Sequence, residues 1–125
     1  MKILMFMLIF MFIRSSAIPG DELESVHATV YHAVPEQCNS DPEHTAFNFK
    51  LDLRNPYAHR IIAVSRDLLK KYPKGTTVYV GGVGQYEGYY VVMDKMNKRY
   101  TKRIDILINV GMPLISTNTA WITKE

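Results

Sequence analysis

Short apolar runs separated by turn residues recur along the chain, and this pattern is typical of β-strands. Thr77 and Tyr79 alternate with Val78 and Val80, so one face of that segment is apolar. The segment RIIAV at residues 60–64 contains a continuous apolar run, which is typical of a buried strand. We therefore expect strands at residues 26–34, 60–64, 75–82, 88–94, 103–109 and 119–124.

Two segments depart from this strand pattern. Residues 65–72, SRDLLKKY, favour one to two turns of helix, with Ser65 as the N-cap. Residues 35–59 are interrupted by Pro, Asn, Asp and Ser, so we expect a long loop. Within it, residues 45–53 are expected to form a short strand or an ordered segment. A loop of this length in a compact domain is either functional or a segment whose regular structure the sequence pattern does not reveal.

The order of these elements predicts an all-β fold with one short helix. Short strands without regular strand–helix alternation argue against a doubly wound sheet. Closure into a barrel would remove exposed strand edges, so a closed β-barrel is the favoured architecture and a sandwich the alternative. The length of 125 residues suggests a single domain, which we assign to residues 26–123.

The first residues have the pattern of a secretory signal peptide. Lys2 precedes an unbroken apolar run at residues 3–13, and small residues lead to Ala17. The run is too short for a spanning helix, which needs about 20 apolar residues. We expect cleavage after Ala17, removing residues 1–17, and a secreted, periplasmic or cell-envelope location without a membrane span in the mature chain.

Charge and cysteine content narrow the function further. Loss of Lys2 and Arg14 with the signal peptide would lower the formal charge from +3 to +1. A nearly neutral domain argues against a nucleic-acid partner. Cys38 is the one cysteine of the chain, so no internal disulfide can form. Cys38 lies in the long loop, and no cysteine motif surrounds it.

Two aspartates flank a strongly basic segment. Asp94 ends one predicted strand, and Asp105 lies between Ile104 and Ile106 in the next. If these two strands pair, their carboxyl groups approach each other. The intervening cations are Lys95, Lys98, Arg99, Lys102 and Arg103. Two interpretations stay open at this point: a solvated hairpin, or a site for a sugar polymer.

The same region resembles a known family. Asp94 and Asp105 are eleven positions apart, and the second belongs to an Arg103-Ile104-Asp105 motif. This spacing and motif are similar to those of the three-aspartate (3D) domain and rare lipoprotein A, which are double-psi β-barrels. Residues 61–80, IIAVSRDLLKKYPKGTTVYV, add the strand, short helix and strand of such barrels. The resemblance extends to lytic transglycosylase A barrels and expansins, and implies a six-stranded double-psi β-barrel.

The resemblance implies a cell-wall glycan, usually peptidoglycan, as the substrate. In lytic members one carboxyl group protonates the glycosidic oxygen, and the 6-hydroxyl of the sugar closes onto the anomeric carbon. Asp105 would transfer the proton, while Asp94 would raise its pKa or bind sugar, or the two would exchange roles. The residues that we expect to contact the glycan are Tyr31, His32, Thr45, Ser65, Asn97, Lys98 and Arg103.

Two departures from the family pattern keep a second function open. Ser65 stands where the family has its first aspartate, and Met96-Asn97 replaces a Gly-Gly pair. A barrel that binds glycan without cleaving it, as expansins do, is therefore the alternative.

Other kinds of site find little support. No His-Glu-x-x-His motif and no paired cysteines occur, so no metal is predicted. The GGVG segment lacks the Lys and Ser/Thr of a phosphate loop, so no cofactor is predicted either. We expect a monomer.

Overall fold

The computed structural model describes residues 22–34 and 41–125. The predicted signal peptide and Cys38 lie outside the described residues. Six strands make up the fold: β1 (Glu24–His32), β2 (Ile61–Val64), β3 (Thr77–Gly81), β4 (Gly88–Lys95), β5 (Arg103–Ile108) and β6 (Ser116–Lys124). The other elements are 3-10 turns at Pro56–His59, Arg66–Leu68 and Gly84–Tyr86.

The strands close into a barrel in the order β1-β5-β2-β4-β3-β6. β1 runs parallel to β5, and β2 runs parallel to β4, whereas the remaining neighbours are antiparallel. Exchanging β1, β2 and β3 for β4, β5 and β6, respectively, reproduces the same set of strand pairs. The barrel therefore consists of two equivalent halves, as in a double-psi β-barrel. The predicted fold class is confirmed.

The inside of the barrel is filled by one apolar cluster. In β5, Ile104, Ile106 and Ile108 are fully buried and belong to this cluster. Because side chains alternate along a strand, Asp105 points to the outside of the barrel. The outward-facing Leu107 belongs instead to a second, smaller cluster with Leu51 and Ile61. The second cluster attaches part of the long loop to the outer wall.

Residues 65–72, predicted to form one to two helical turns, agree with the lower limit of that prediction. Arg66–Leu68 form a 3-10 turn. After it, the Tyr72 amide donates one α-helical hydrogen bond to the Leu68 carbonyl. Ser65 occupies the N-cap position but makes no side-chain cap bond. Its hydroxyl instead accepts a hydrogen bond from the Arg103 amide at 3.0 Å. The Ser65 hydroxyl, which the local sequence pattern assigned to the helix N-cap, therefore bonds to a residue distant in sequence.

Residues 45–53 are ordered but do not form a strand. One isolated bridge joins His44 to Lys50. The Thr45 hydroxyl accepts hydrogen bonds from the amides of Phe47 and Phe49, which closes a turn between the bridged residues. Of the two predicted alternatives, the structure therefore has the ordered segment, with the Thr45 hydroxyl stabilising its turn.

Within the described part of the chain, no helix has the length and apolar character to cross a bilayer. The same residues contain no cluster of three or more His, Cys, Asp or Glu side chains that could hold a metal ion.

Candidate functional site

Four neighbouring strands place Thr29, Asp105, Ala63 and Asp94 in one row. The register pairs Thr29 with Asp105, Asp105 with Ala63, and Ala63 with Asp94. The two aspartate strands do not pair directly, because β2 lies between them. Two strand spacings separate the aspartate Cα atoms by about 10 Å. The small side chain of Ala63 leaves space between the two carboxyl groups.

A β-bulge turns Asp94 towards this row. Ile62 pairs with Val92, whereas Ala63 pairs with Asp94, so Met93 is the extra residue of β4. Val92 and Asp94 are two positions apart and would share a face in a regular strand. The bulge instead leaves Val92 fully buried in the barrel core and brings Asp94 beside Ala63 on the outside. The position of this carboxylate therefore depends on one inserted residue.

Asp105 is partly buried in the row. Its Oδ1 accepts a hydrogen bond from the Thr29 hydroxyl at 2.9 Å. Burial raises the pKa of Asp105 from its ordinary value of 3.8 to about 7, and the negative charge of Asp94 adds to the rise. The hydrogen bond from Thr29 and the positive charge of Arg103 lower the pKa in part. Near neutral pH, Asp105 can therefore both hold and release a proton.

Asp94 has a different environment, because hydrogen-bond donors surround its carboxylate. Oδ2 accepts from the Tyr31 hydroxyl at 2.9 Å, and Oδ1 accepts from the amides of Ala46 at 2.7 Å and Lys95 at 2.9 Å. The bond to Ala46 attaches the long loop to β4. Asp94 therefore fixes the loop beside the row and supplies negative charge near Asp105.

Both carboxyl groups open onto one cavity of about 490 Å³. The lining residues are Val30, Tyr31, Ala63, Asp94, Lys95, Met96, Asn97, Arg99, Tyr100 and Asp105. A volume of this size lies within the range of small-ligand pockets, about 300–1,000 Å³. The long predicted loop borders this site, since Ala46 bonds to one of the carboxylates that line it.

Two of the predicted contact residues line the cavity, and a third supports its edge. Tyr31 and Asn97 are lining residues. The Asn97 side-chain oxygen also accepts a hydrogen bond from the Arg99 amide at 3.0 Å, which shapes the loop between β4 and β5. Thr45 is buried and closes the turn that contains Ala46.

The other four predicted contact residues lie outside the lining. Ser65 is fully buried and bonds to the Arg103 amide. Arg103 is partly buried, and its guanidinium lies over the Tyr100 ring, 4.7 Å from the ring centroid. Lys98 is exposed on the loop between β4 and β5, and His32 is partly buried at the end of β1.

Sequence reasoning did not assign several residues that form the site. Thr29 and Ala63 carry no local signal, because their roles arise only from strand register. Lys95 and Arg99 belong to the basic segment that the sequence did single out. The predicted contact residue Lys98 belongs to the same segment, but Lys95 and Arg99 line the cavity instead.

No protein-family model matches the chain, and no curated protein matches it with significant similarity.

Proposed function

We propose that this domain binds a cell-wall glycan, peptidoglycan or a related polysaccharide, and cleaves its glycosidic bond. The supporting observation is one cavity that contains a carboxyl group with a pKa of about 7 beside a hydrogen-bonded carboxylate. Glycosidic cleavage requires a proton donor close to the leaving oxygen. An aspartate whose pKa is raised to near neutrality suits that role.

In this proposal Asp105 is the general acid. It donates its proton to the glycosidic oxygen, the bond from that oxygen to the anomeric carbon breaks, and the leaving sugar departs as an alcohol. The 6-hydroxyl of the remaining sugar attacks the anomeric carbon and returns its proton to Asp105. The product carries a 1,6-anhydro ring, and the acid is regenerated without a water molecule.

Asp94 supports the acid in this scheme. Its negative charge raises the pKa of Asp105, although burial is the larger cause. Three hydrogen bonds engage both oxygens of the Asp94 carboxylate, which argues against a role as covalent nucleophile. In the proposed route the sugar's own 6-hydroxyl attacks the anomeric carbon, so no second carboxylate is needed as a nucleophile.

Binding without cleavage is the second candidate function, and two features favour it. Ser65, at the position of the first family aspartate, is buried and hydrogen-bonded to backbone, away from the cavity. Met96 and Asn97 line the cavity where the family has two glycines. A site with fewer carboxylates and a bulkier wall could hold a glycan and leave it intact.

The proposal includes export, because the predicted signal peptide would deliver the domain to the compartment that contains the glycan. Resemblance to the 3D and rare lipoprotein A proteins supports this location through the residues described above.

Purified peptidoglycan tests cleavage directly. Mass spectrometry of the soluble fraction should detect anhydro-muropeptides after incubation with the protein, and Asp105→Asn should lower their release by at least about 100-fold. Asp52→Asn is the matched control, because Asp52 is exposed and pairs with Arg54 outside the cavity. Full activity of Asp105→Asn would remove Asp105 as the proton donor. Retention on sacculi without any anhydro product would favour the binding function.

A further inference from the structure

One wall of the cavity carries cations that the proposed reaction does not use. Lys95 and Arg99 line the cavity together with the two aspartates. The ion pairs within residues 22–34 and 41–125 involve other cations, namely His44, Arg54, Lys71 and Lys102. Lys95 and Arg99 therefore face the cavity without a carboxylate partner from the described part of the chain.

The local structure of the loop holds the Arg99 side chain in place. Its guanidinium lies over the Tyr100 ring, 4.8 Å from the centroid, and Nη2 donates to the Tyr100 hydroxyl at 2.7 Å. The Arg103 guanidinium lies 4.7 Å from the same centroid. A turn bonded through Asn97 fixes the backbone on which Arg99 and Tyr100 are placed. Less side-chain entropy is lost on binding when the guanidinium is already positioned.

Lys95 occupies a defined place as well. It follows Asp94 at the end of β4, and its amide donates to that carboxylate at 2.9 Å. Its ammonium lies 5.8 Å from the centroid of the Phe47 ring, on the loop that Asp94 attaches. Two cations on different segments thus border the same opening.

The charged groups that line the cavity indicate the charge of the ligand. The negative charge of Asp94 is already engaged by Tyr31, Ala46 and Lys95 donors. A guanidinium has five N–H donors, and the one internal acceptor of the Arg99 side chain among the described residues is the Tyr100 hydroxyl. Guanidinium and ammonium groups together match a carboxylate in charge and in hydrogen-bond geometry.

We propose that Arg99, assisted by Lys95, binds a carboxylate carried by the glycan, so that the site prefers anionic over neutral sugar chains. This inference rests on the proposed glycan-binding function and deepens it. The carboxylate could be attached to the sugar itself or lie on a peptide attached to the sugar, and both sources present the same group to Arg99.

Four soluble probes separate these sources. Peptide-free peptidoglycan strands carry carboxylates on the sugar, and peptide-bearing strands carry them on the peptide. Each is compared with the same strand after its carboxylates have been converted to amides. Binding is measured by calorimetry in the full chain with Asp105→Asn, which prevents cleavage. Amidation of the recognised carboxylate should weaken binding by about tenfold, and binding to the unmodified strand should weaken with added salt.

The variant Arg99→Gln should bind the recognised strand and its amide equally. Lys98→Gln is the matched control, since Lys98 is a cation of the same loop outside the cavity lining, and it should retain the full preference. Equal binding of acid and amide strands by the parent protein, or an unchanged preference in Arg99→Gln, would overturn the inference while leaving glycan binding intact. The protein with native Asp105 could also release no anhydro products while Arg99 still provides the preference for acid over amide strands. That result would support the inference and contradict cleavage. No binding of any strand would overturn both.

Discussion

Replacing Asp105 with Asn should stabilise the protein at alkaline pH. The folded-state pKa of about 7 exceeds the ordinary value of 3.8, so the folded chain must ionise this carboxyl group against its own surroundings. Each tenfold change in proton affinity corresponds to about 1.4 kcal/mol, which gives a maximum cost of about 4 kcal/mol. Asn has a similar shape, carries no charge and can still accept the hydrogen bond from Thr29.

The pH dependence has a definite sign. Below about pH 4 the carboxyl group is protonated in both the folded and the unfolded chain, so the substitution should change stability little. Between about pH 4 and 7 the unfolded chain releases its proton first, and the advantage of Asn in unfolding free energy should grow. Above about pH 7 both states are ionised, so the advantage should stay constant at up to about 4 kcal/mol.

Urea denaturation of the parent and of Asp105→Asn at pH 4, 6 and 8 measures this advantage. Asp52→Asn serves as the control, because Asp52 is exposed and its pKa is lowered by the hydrogen bond from Arg54; this variant should show no gain at pH 8. An Asp105→Asn advantage that is absent at pH 8, or equal at all three pH values, would refute the reasoning from burial. Carbon-13 NMR of the Asp105 carboxyl group gives an independent midpoint, expected near 7. In Asp94→Asn this midpoint should fall but remain above 3.8, because burial is the larger cause.

Three further substitutions test the arrangement around the cavity. Ser65→Ala should lower the unfolding free energy by about 1–3 kcal/mol in urea denaturation, since the partly buried Arg103 amide loses its acceptor; lost glycan affinity with unchanged stability would contradict this structural role. Ala63→Leu should fill the space between the carboxyl groups and weaken glycan-strand binding in calorimetry, and unchanged affinity in the folded variant would argue against a ligand there. Gly81→Ala would bring its Cβ to 2.1 Å from Cζ2 of Trp121 and should cost about 1–3 kcal/mol in thermal unfolding. The cost should be smaller in a Trp121→Ala background, and equal costs in both backgrounds would count against the proposed clash.

The Asp105 carboxylate is expected to lower the stability of the folded protein, and this cost is informative about function. Burial of Asp105 raises its pKa at the expense of stability above about pH 4. Perturbed groups of this kind concentrate at functional sites, where activity is retained at a cost in stability. If Asp105→Asn is more stable but inactive on peptidoglycan, the two measurements together would assign the carboxyl group to chemistry rather than to folding.

Local pattern was sufficient to locate the strands. Alternation in β3 and the apolar run of β2 depend on neighbouring residues alone, and the predicted positions agree with Thr77–Gly81 and Ile61–Val64 within a few residues. Residues 65–72 form a single short turn, and the Ser65 hydroxyl, predicted as the N-cap, bonds instead to β5, a partner distant in sequence. The ends of β1 and β6 were also missed, since these strands extend by pairing with each other.

The sequence by itself determined that Asp105 points out of the barrel, because it lies between two core isoleucines and strand side chains alternate. It also predicted an all-β fold, through short strands without regular helix alternation, and it marked the basic segment that borders the cavity, whereas the choice of a barrel over a sandwich came from the strand order. Only the tertiary structure decided that β2 lies between the aspartate strands, that a bulge turns Asp94 outwards, and that burial raises the pKa of Asp105. The physical reason is distance along the chain: alternation is fixed by adjacent residues, whereas strand order, register and desolvation depend on contacts between segments far apart in sequence.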